Sequence, residues 1–135
     1  MKRRFFCTIL TLALCCGLAA LAEEELSGTC GENLTWTLDA EGTLTIFGTG
    51  DMTDYGTHVY TEWDDAKVRN VVIEAGVTSI GDEAFNWTDD LRSVVIPDTV
   101  TRIGKYAFWT CHLTEVTIPG SVRKSTMMRS VSALS

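Results

Sequence analysis

The chain has 135 residues, a hydrophobic fraction of 45% and a formal net charge of −7 at neutral pH. This length suffices for one folded domain with a modest core, and no proline- or glycine-rich stretch divides it in two. The few basic residues are scattered among carboxylates, which excludes nucleic acid as a partner and disfavours an anionic membrane surface.

The first 22 residues have the layout of a secretory signal peptide. Three basic side chains follow Met1, and an uncharged apolar stretch occupies residues 5–21. The small residues of Ala20-Leu21-Ala22 predict cleavage after Ala22. A retained membrane anchor is the alternative, and three glutamates at residues 23–25 disfavour it. After cleavage, 8 basic and 18 acidic side chains remain, a net charge of −10.

Three of the five cysteines lie within this signal peptide, so the exported chain retains Cys30 and Cys111. An extracellular environment permits a disulfide between them. Cys30 precedes the first predicted hairpin, however, whereas Cys111 lies in a late repeat several coils away. The favoured prediction is two small buried thiols, and the disulfide is the alternative.

A β-hairpin is predicted ahead of the repeats. Residues 34–38 and 43–47 alternate apolar and polar side chains around the turn Asp39-Ala40-Glu41-Gly42. The apolar face of such a hairpin can shield the end of a repeat array from unwanted strand pairing. Residues 23–67 are therefore predicted to form an N-terminal hairpin cap and a loop, with the loop beginning at Gly48-Thr49-Gly50.

A repeat of 22 to 23 residues organises residues 68–122. Val71-Val72-Ile73 returns as Val94-Val95-Ile96 and as Val116-Thr117-Ile118. A period of this length indicates a solenoid, in which each coil buries its apolar face only when a neighbouring coil stacks on it. We predict a β-rich solenoid with two full leucine-rich-repeat coils and one partial coil, followed by an unstructured tail at residues 123–135.

Each coil is predicted to contain a short parallel strand, a corner, a second short strand and a single helical turn. In the second coil Gly104 is expected to supply backbone freedom, and residues 105–108 to form the helical turn that directs Ala107 and Phe108 inward. Equivalent side chains of neighbouring coils should form stacked rows about 4.8 Å apart. The predicted core consists of Ile73, Val77, Ile80, Phe85, Leu91, Ile96, Val100, Ile103, Phe108, Leu113 and Ile118.

The pattern Ile-Pro-x-x-Val-Thr-x-Ile-Gly-x-x-Ala-Phe at residues 96–108 resembles the BspA-type leucine-rich repeats of bacterial surface and secreted proteins. Segments between Gly28 and Ile46 are similar to the part that often opens such arrays, so the resemblance covers roughly Ser27 to Val122. It implies a secreted or cell-surface scaffold that adheres to host or neighbouring-cell proteins, with no catalytic residues. The chain departs from the family in having few repeats and no recognisable wall anchor.

Three tryptophans are the candidate ligand-contact residues. Trp63, Trp87 and Trp109 each stand four or five residues before the first core residue of a coil, so stacking could bring them into one column. An exposed column could stack on a partner side chain or a sugar ring. Burial over the turn is the favoured interpretation, because large aromatic residues near a corner usually complete the packing.

Metal and catalytic sites are not predicted. The pairs Asp64-Asp65 and Asp89-Asp90 lack the dense ligand spacing of a calcium loop, and His58 and His112 do not form a zinc-binding cluster. No nucleophile elbow, phosphate-binding loop or dinucleotide fingerprint occurs. We therefore expect no cofactor, no metal and no enzymatic activity.

The function predicted from the sequence is noncovalent recognition of a protein on a host or neighbouring cell, with a glycan as the second candidate ligand. The alternative function is a carbohydrate-targeting or spacer module of a larger secreted cell-wall enzyme.

Overall fold

The computed structural model describes residues 25–56 and 59–125. The predicted signal peptide, His58 and residues 126–135 of the predicted tail lie outside the described residues. Within the described ranges the chain forms strands and turns, and no helix is long and apolar enough to cross a membrane.

Strands joined by turns and loops follow one another along the described part of the chain. They are β1 (Leu26–Gly31), β2 (Leu34–Leu38), β3 (Thr43–Gly48), β4 (Gly50–Asp51), β5 (Asn70–Ile73), β6 (Val77–Ile80), β7 (Ser93–Val95), β8 (Arg102–Ile103), β9 (Glu115–Thr117) and β10 (Lys124–Ser125). The larger sheet has the order β1-β2-β3-β5-β7-β9, and the smaller sheet has the order β10-β8-β6-β4. From β3 onward every pairing is parallel, so the predicted solenoid is confirmed.

The N-terminal cap is antiparallel and continues directly into the solenoid. β2 and β3 form the predicted hairpin, with Leu34, Trp36 and Leu38 buried on one face. Its turn closes because Asp39 Oδ1 accepts a hydrogen bond from the Thr43 amide at 2.8 Å. β1 adds a third strand that the sequence analysis missed, because Leu-Ser-Gly-Thr-Cys-Gly has no apolar alternation.

Strand register stacks equivalent side chains into continuous rows, as the repeat predicts. One inward row consists of Leu44, Val71, Val94 and Val116. The neighbouring outward row consists of Thr45, Val72, Val95 and Thr117. Burying one such aliphatic side chain contributes roughly 1.5–3 kcal/mol, so the inward rows are what hold the coils together.

A column of aromatic rings runs through the core from the cap to the second coil. Trp36 meets Trp63 edge to face at 5.6 Å between ring centroids. Trp63 stacks on Phe85 at 5.7 Å, and Phe85 stacks on Phe108 at 5.2 Å with only 8° between the ring planes. These contacts link three successive layers of the molecule through their largest side chains.

Most of the predicted core residues are buried, and two are not. The buried ones are Ile73, Val77, Ile80, Phe85, Leu91, Ile96, Val100, Ile103 and Phe108. Leu113 is only partly buried, and Ile118 is 42% exposed, so the prediction that Ile118 belongs to the core is wrong. The physical reason is that no strand of the described residues pairs with the far side of β9.

The predicted helical turn is a different structure. Glu83 and Tyr106 have φ angles of 56° and 54°, in the left-handed region, which interrupts a right-handed helix. The Glu83 amide instead donates to the Lys105 carbonyl at 2.8 Å, and the Phe85 amide donates to the Ala107 carbonyl at 2.8 Å. The helix prediction is therefore wrong, because these amides bond to the next coil rather than to their own turn.

Gly104 serves close packing rather than backbone freedom. Its φ angle is not in the left-handed region. A Cβ atom at this position would lie 2.4 Å from the backbone nitrogen of Asp82 and 2.6 Å from the carbonyl carbon of Gly81. The role predicted for Gly104 is thus wrong, since glycine is needed there because the preceding coil approaches too closely for a side chain.

The smaller sheet extends further at both ends than the sequence analysis predicts. β4 lies where a loop was expected, and it pairs with β6. At the other end β10 pairs with β8, so an unstructured tail is the wrong description of residues 124 and 125. The Arg123 amide donates to the Thr101 carbonyl at 3.0 Å and leads the backbone into this pairing. These strands form through backbone hydrogen bonds, so their sequences do not need the side-chain pattern of the repeat.

Both described cysteines are free and buried. Burial, and to a smaller extent the charge of Glu62, raises the pKa of Cys30 to about 12. Burial likewise raises the pKa of Cys111 to about 12, and its Sγ donates to the Phe85 carbonyl at 3.0 Å. The two thiols therefore act as small core side chains.

Candidate functional site

Backbone hydrogen bonds at the corners of the coils show which residues are structurally equivalent. At three successive corners, the carbonyl of a large buried aromatic residue accepts a hydrogen bond from the amide three residues later. The donor and acceptor pairs are Ala66 to Trp63, Thr88 to Phe85, and Cys111 to Phe108. Trp63 is therefore the counterpart of the two core phenylalanines, whereas Trp87 lies two residues after Phe85 and Trp109 lies one residue after Phe108. The three tryptophans thus do not occupy equivalent positions, and the prediction of one tryptophan column is wrong.

Trp63 lies in the core of the protein. Its side chain is fully buried, and its Nε1 donates a hydrogen bond to the Ala84 carbonyl at 3.1 Å. The ring is enclosed by Trp36, Tyr55 and Phe85. Its candidate role in ligand contact is therefore wrong, whereas the favoured interpretation of burial holds for this residue.

Trp87 and Trp109 lie on the surface. Trp87 is 69% exposed and Trp109 is 45% exposed, so burial over the turn is the wrong interpretation for both. Their ring centroids are 6.3 Å apart with 49° between the planes, and Tyr106 lies 5.2 Å from Trp109. We call these three residues the aromatic corner. Single exposed apolar residues are ordinary, but three adjacent aromatic rings form a contiguous patch.

The backbone of Trp87 has a left-handed conformation. Its φ angle is 63°, which is uncommon for a residue other than glycine and costs of order 1–3 kcal/mol. The conformation is held because the Trp87 amide donates to the Trp109 carbonyl at 3.2 Å and to Thr110 Oγ1 at 2.9 Å. The rigid stacking of coils therefore places a large aromatic ring in solvent.

A shallow groove of about 250 Å³ lies beside Trp87, between the corners of two successive coils. We call it the acidic groove. Its lining residues are Asp64, Asp65, Ala66, Lys67, Trp87, Thr88, Asp89 and Asp90. The lining thus includes four acidic residues and one lysine, which makes the groove negative.

Neighbouring polar groups fix the shape of this groove. Asp64 accepts hydrogen bonds from both the amide and the hydroxyl of Thr61. On the opposite rim the Arg92 guanidinium donates to the Asp89 carbonyl at 2.7 Å, and His112 Nδ1 lies 3.1 Å from the same oxygen. These contacts hold the corner segments in place.

The carboxylates do not assemble into a metal site. In the described ranges, no group of three or more histidine, cysteine or acidic side chains is arranged to hold a metal ion. The groove thus combines acidic residues with an exposed aromatic ring.

A second charged cluster, which the sequence analysis missed, lies on the smaller sheet and connects successive coils. Arg102 forms ion pairs with Asp54 at 3.0 Å and with Asp82 at 2.6 Å. Partial burial acts to raise the pKa of Asp54, but hydrogen bonds from the Asp82 amide and from Arg102 hold it below its ordinary value. Because Asp82 also accepts the Lys105 amide at 2.9 Å, this cluster stabilises the coil stack.

Residues 60–128 match the family described as the BspA type leucine-rich repeat region (6 copies). The match covers just over half of the chain. The chain belongs to the BspA-type leucine-rich-repeat family. The exposed residues Trp87 and Trp109 of this BspA-type chain lie at the corners of its repeats.

Two solved structures are similar to the BspA-type chain. A leucine-rich repeat protein from Eubacterium ventriosum ATCC 27560 is 31% identical, with a TM-score of 0.71, over 75% of this chain and 28% of that one. A leucine-rich cell surface protein from Faecalibacterium prausnitzii A2-165 is 17% identical, with a TM-score of 0.38, over 74% of this chain and 50% of that one. The described fold thus corresponds to about a quarter of the Eubacterium protein. A search of curated proteins found no match.

Proposed function

We propose that this chain is an extracellular recognition module that binds a protein on a host or neighbouring cell noncovalently through the aromatic corner. The observation that carries the proposal is the exposure of Trp87 and Trp109 beside Tyr106, at 69% and 45% for the two tryptophans. Tryptophan and tyrosine are enriched among the residues that dominate protein interfaces. The predicted signal peptide at residues 1–22 supports a secreted or cell-surface location.

The stacked coils preorganise the aromatic corner, because they fix its position in the absence of a bound partner. The Trp87 amide donates to the Trp109 carbonyl and to the Thr110 hydroxyl of the following coil. The turn beneath it is anchored by Phe85, which is fully buried and stacked on Phe108. A preorganised surface loses little conformational freedom on binding, so more of the contact energy contributes to affinity.

A protein partner is favoured over a carbohydrate partner by the shape of the aromatic corner. The rings of Trp87 and Trp109 are inclined by 49°, and those of Tyr106 and Trp109 by 39°. These inclined rings present a ridged surface instead of one flat platform on which successive sugar rings could stack. A ridged aromatic surface fits between the side chains of a protein partner.

The experiment measures retention of the fluorescently labelled chain on intact epithelial cells and on neighbouring bacterial cells. We expect the double variant Trp87→Ala, Trp109→Ala to bind at least tenfold more weakly while keeping the circular dichroism spectrum of the unsubstituted chain. The control is Val95→Ala, because Val95 is 57% exposed but lies on the outer face of the larger sheet.

Pretreatment of the cells identifies the class of partner. Trypsin should abolish binding if the partner is a protein, and periodate oxidation of cell-surface sugars should leave binding unchanged. The proposal is refuted if the double variant binds as well as the Val95 control. Loss of binding after periodate but not after trypsin would instead support the carbohydrate-targeting alternative.

A further inference from the structure

We infer that the acidic groove beside Trp87 receives a cationic side chain, lysine or arginine, presented by the protein partner. The inference rests on the proposed function and names the chemistry that the site recognises. It is carried by the charge of the groove, by the exposed indole in its wall, and by an unpartnered hydroxyl group among its lining residues.

Charge favours a cation in the groove. Asp64, Asp65, Asp89 and Asp90 line it together with Lys67, so carboxylates outnumber ammonium groups by four to one. The nearby Arg92 donates to backbone carbonyl oxygens of residues 89 and 91. The chain as a whole has a net charge of −7, so its field also attracts basic partners and repels acidic ones.

The exposed ring adds a second attraction for the same ligand. Trp87 is both the most exposed of the large hydrophobic residues in the described ranges and a lining residue of the groove. The face of an indole ring is the best aromatic surface for a lysine or arginine cation. A side chain entering here would therefore place its charge between an aromatic face and the carboxylates.

A buried hydroxyl group supplies the third observation. Thr88 lines the groove, and its side chain is 7% exposed. Within the part of the chain that the structure describes, its Oγ1 has no hydrogen-bond partner. A buried polar group without a partner is costly. An ammonium or guanidinium donor entering the groove would satisfy this oxygen.

The size of the groove distinguishes a side chain from a larger ligand. Its volume is about 250 Å³, below the range of about 300–1,000 Å³ typical of small-molecule pockets. A single long side chain with an apolar stem and a charged end suits a cleft that has both an aromatic wall and carboxylates.

The test uses two synthetic peptides that differ only in charge. Each has five residues with blocked ends and glycines around a central residue, which is arginine in one peptide and its neutral isostere citrulline in the other. Binding to the exported chain is followed by nuclear magnetic resonance of the Trp87 indole N–H. We expect a saturable shift with the arginine peptide, at least fivefold weaker binding of the citrulline peptide, and weaker arginine binding at high salt.

Matched variants assign the effect to the groove. Asp89→Asn with Asp90→Asn should weaken binding of the arginine peptide at least fivefold. The control Glu74→Gln with Asp98→Asn removes the same charge from exposed residues at the other corners of the coils and should leave that affinity unchanged. Equal affinity for the two peptides, or equal weakening by the two double variants, overturns the inference. If the inference is overturned but the double variant Trp87→Ala, Trp109→Ala still loses cell binding, the proposed function remains supported without the inference. If that double variant also retains cell binding, both the inference and the proposed function are refuted.

Discussion

Replacing Phe85 by alanine is expected to remove a large part of the stability of the fold. Phe85 is fully buried between Trp63 and Phe108, whose ring centroids lie 5.7 Å and 5.2 Å away. Truncation of a buried phenylalanine costs about 3–5 kcal/mol. Because two aromatic stacking contacts are lost together, we expect the upper end of this range, about 5 kcal/mol. A domain of this size has a total stability of about 5–15 kcal/mol, so the variant should lose between about a third and all of it.

The assay is equilibrium urea unfolding followed by far-ultraviolet circular dichroism. Phe85→Leu should retain more stability than Phe85→Ala, because leucine leaves a smaller cavity. Trp87→Ala serves as the exposed control and should change the unfolding free energy by no more than about 0.5 kcal/mol. The reasoning is refuted if Phe85→Ala is destabilised no more than Trp87→Ala, since the aromatic column would then contribute nothing to coil stacking.

Three further predictions follow from local structure. Cys30 and Cys111, whose pKa values burial raises to about 12, should resist iodoacetamide at pH 8 and react in urea; peptide mapping that finds either modified in the folded protein would contradict this. Gly104→Ala should lower the free energy of unfolding in urea by about 1–3 kcal/mol, because its Cβ would lie 2.4 Å from a backbone nitrogen. The control Gly120→Ala, with open space around the new Cβ, should lower it by less. Equal losses for the two variants would rule out close packing of the coils at Gly104. Ionised Asp54 stabilises the fold because its pKa is lowered, so that contribution is present above about pH 4 and lost as the pH falls further. Asp54→Asn should therefore flatten the acid side of the profile of urea midpoint against pH, and an unchanged profile would count against the ion pair with Arg102.

The repeat could be predicted from sequence because its physical cause is local and recurrent. Rows such as Val71, Val94 and Val116 require apolar residues at fixed intervals, and that requirement is visible in the chain. The hairpin could also be predicted from sequence, because apolar and polar residues alternate on both sides of the turn from Asp39 to Gly42 and favour one strand pairing. These two patterns therefore predict the core residues that lie between neighbouring coils.

The strands that sequence reasoning missed depend on backbone pairing alone. β1 contains glycine, serine and threonine without apolar alternation, and it forms because the outer edge of β2 is available to it. β4 and β10 are two residues long, too short for any side-chain period to appear. Similarly, the turn before Phe108 has the composition of a helical turn, but hydrogen bonds to the neighbouring coil determine its backbone.

The candidate site was only partly predictable. The spacing between each tryptophan and the first core residue of the following coil groups Trp63 with Trp87 and Trp109. This grouping is wrong because the turns differ in length by one residue, which hides the true alignment. The bond from the Ala66 amide to the Trp63 carbonyl assigns Trp63 to the phenylalanine column instead. Spacing also does not reveal that Trp87 lies in solvent or that its backbone has a left-handed conformation.

The central claim is that one set of aromatic rings holds the coils together while a second set faces solvent for recognition. Hydroxyl-radical footprinting with mass spectrometry tests this directly by measuring the oxidation rate of each tryptophan in the folded chain. We predict rapid oxidation of Trp87 and Trp109 and strong protection of Trp36 and Trp63. Oxidation of Trp63 at the rate of Trp87, or protection of Trp87 at the level of Trp63, would contradict the account.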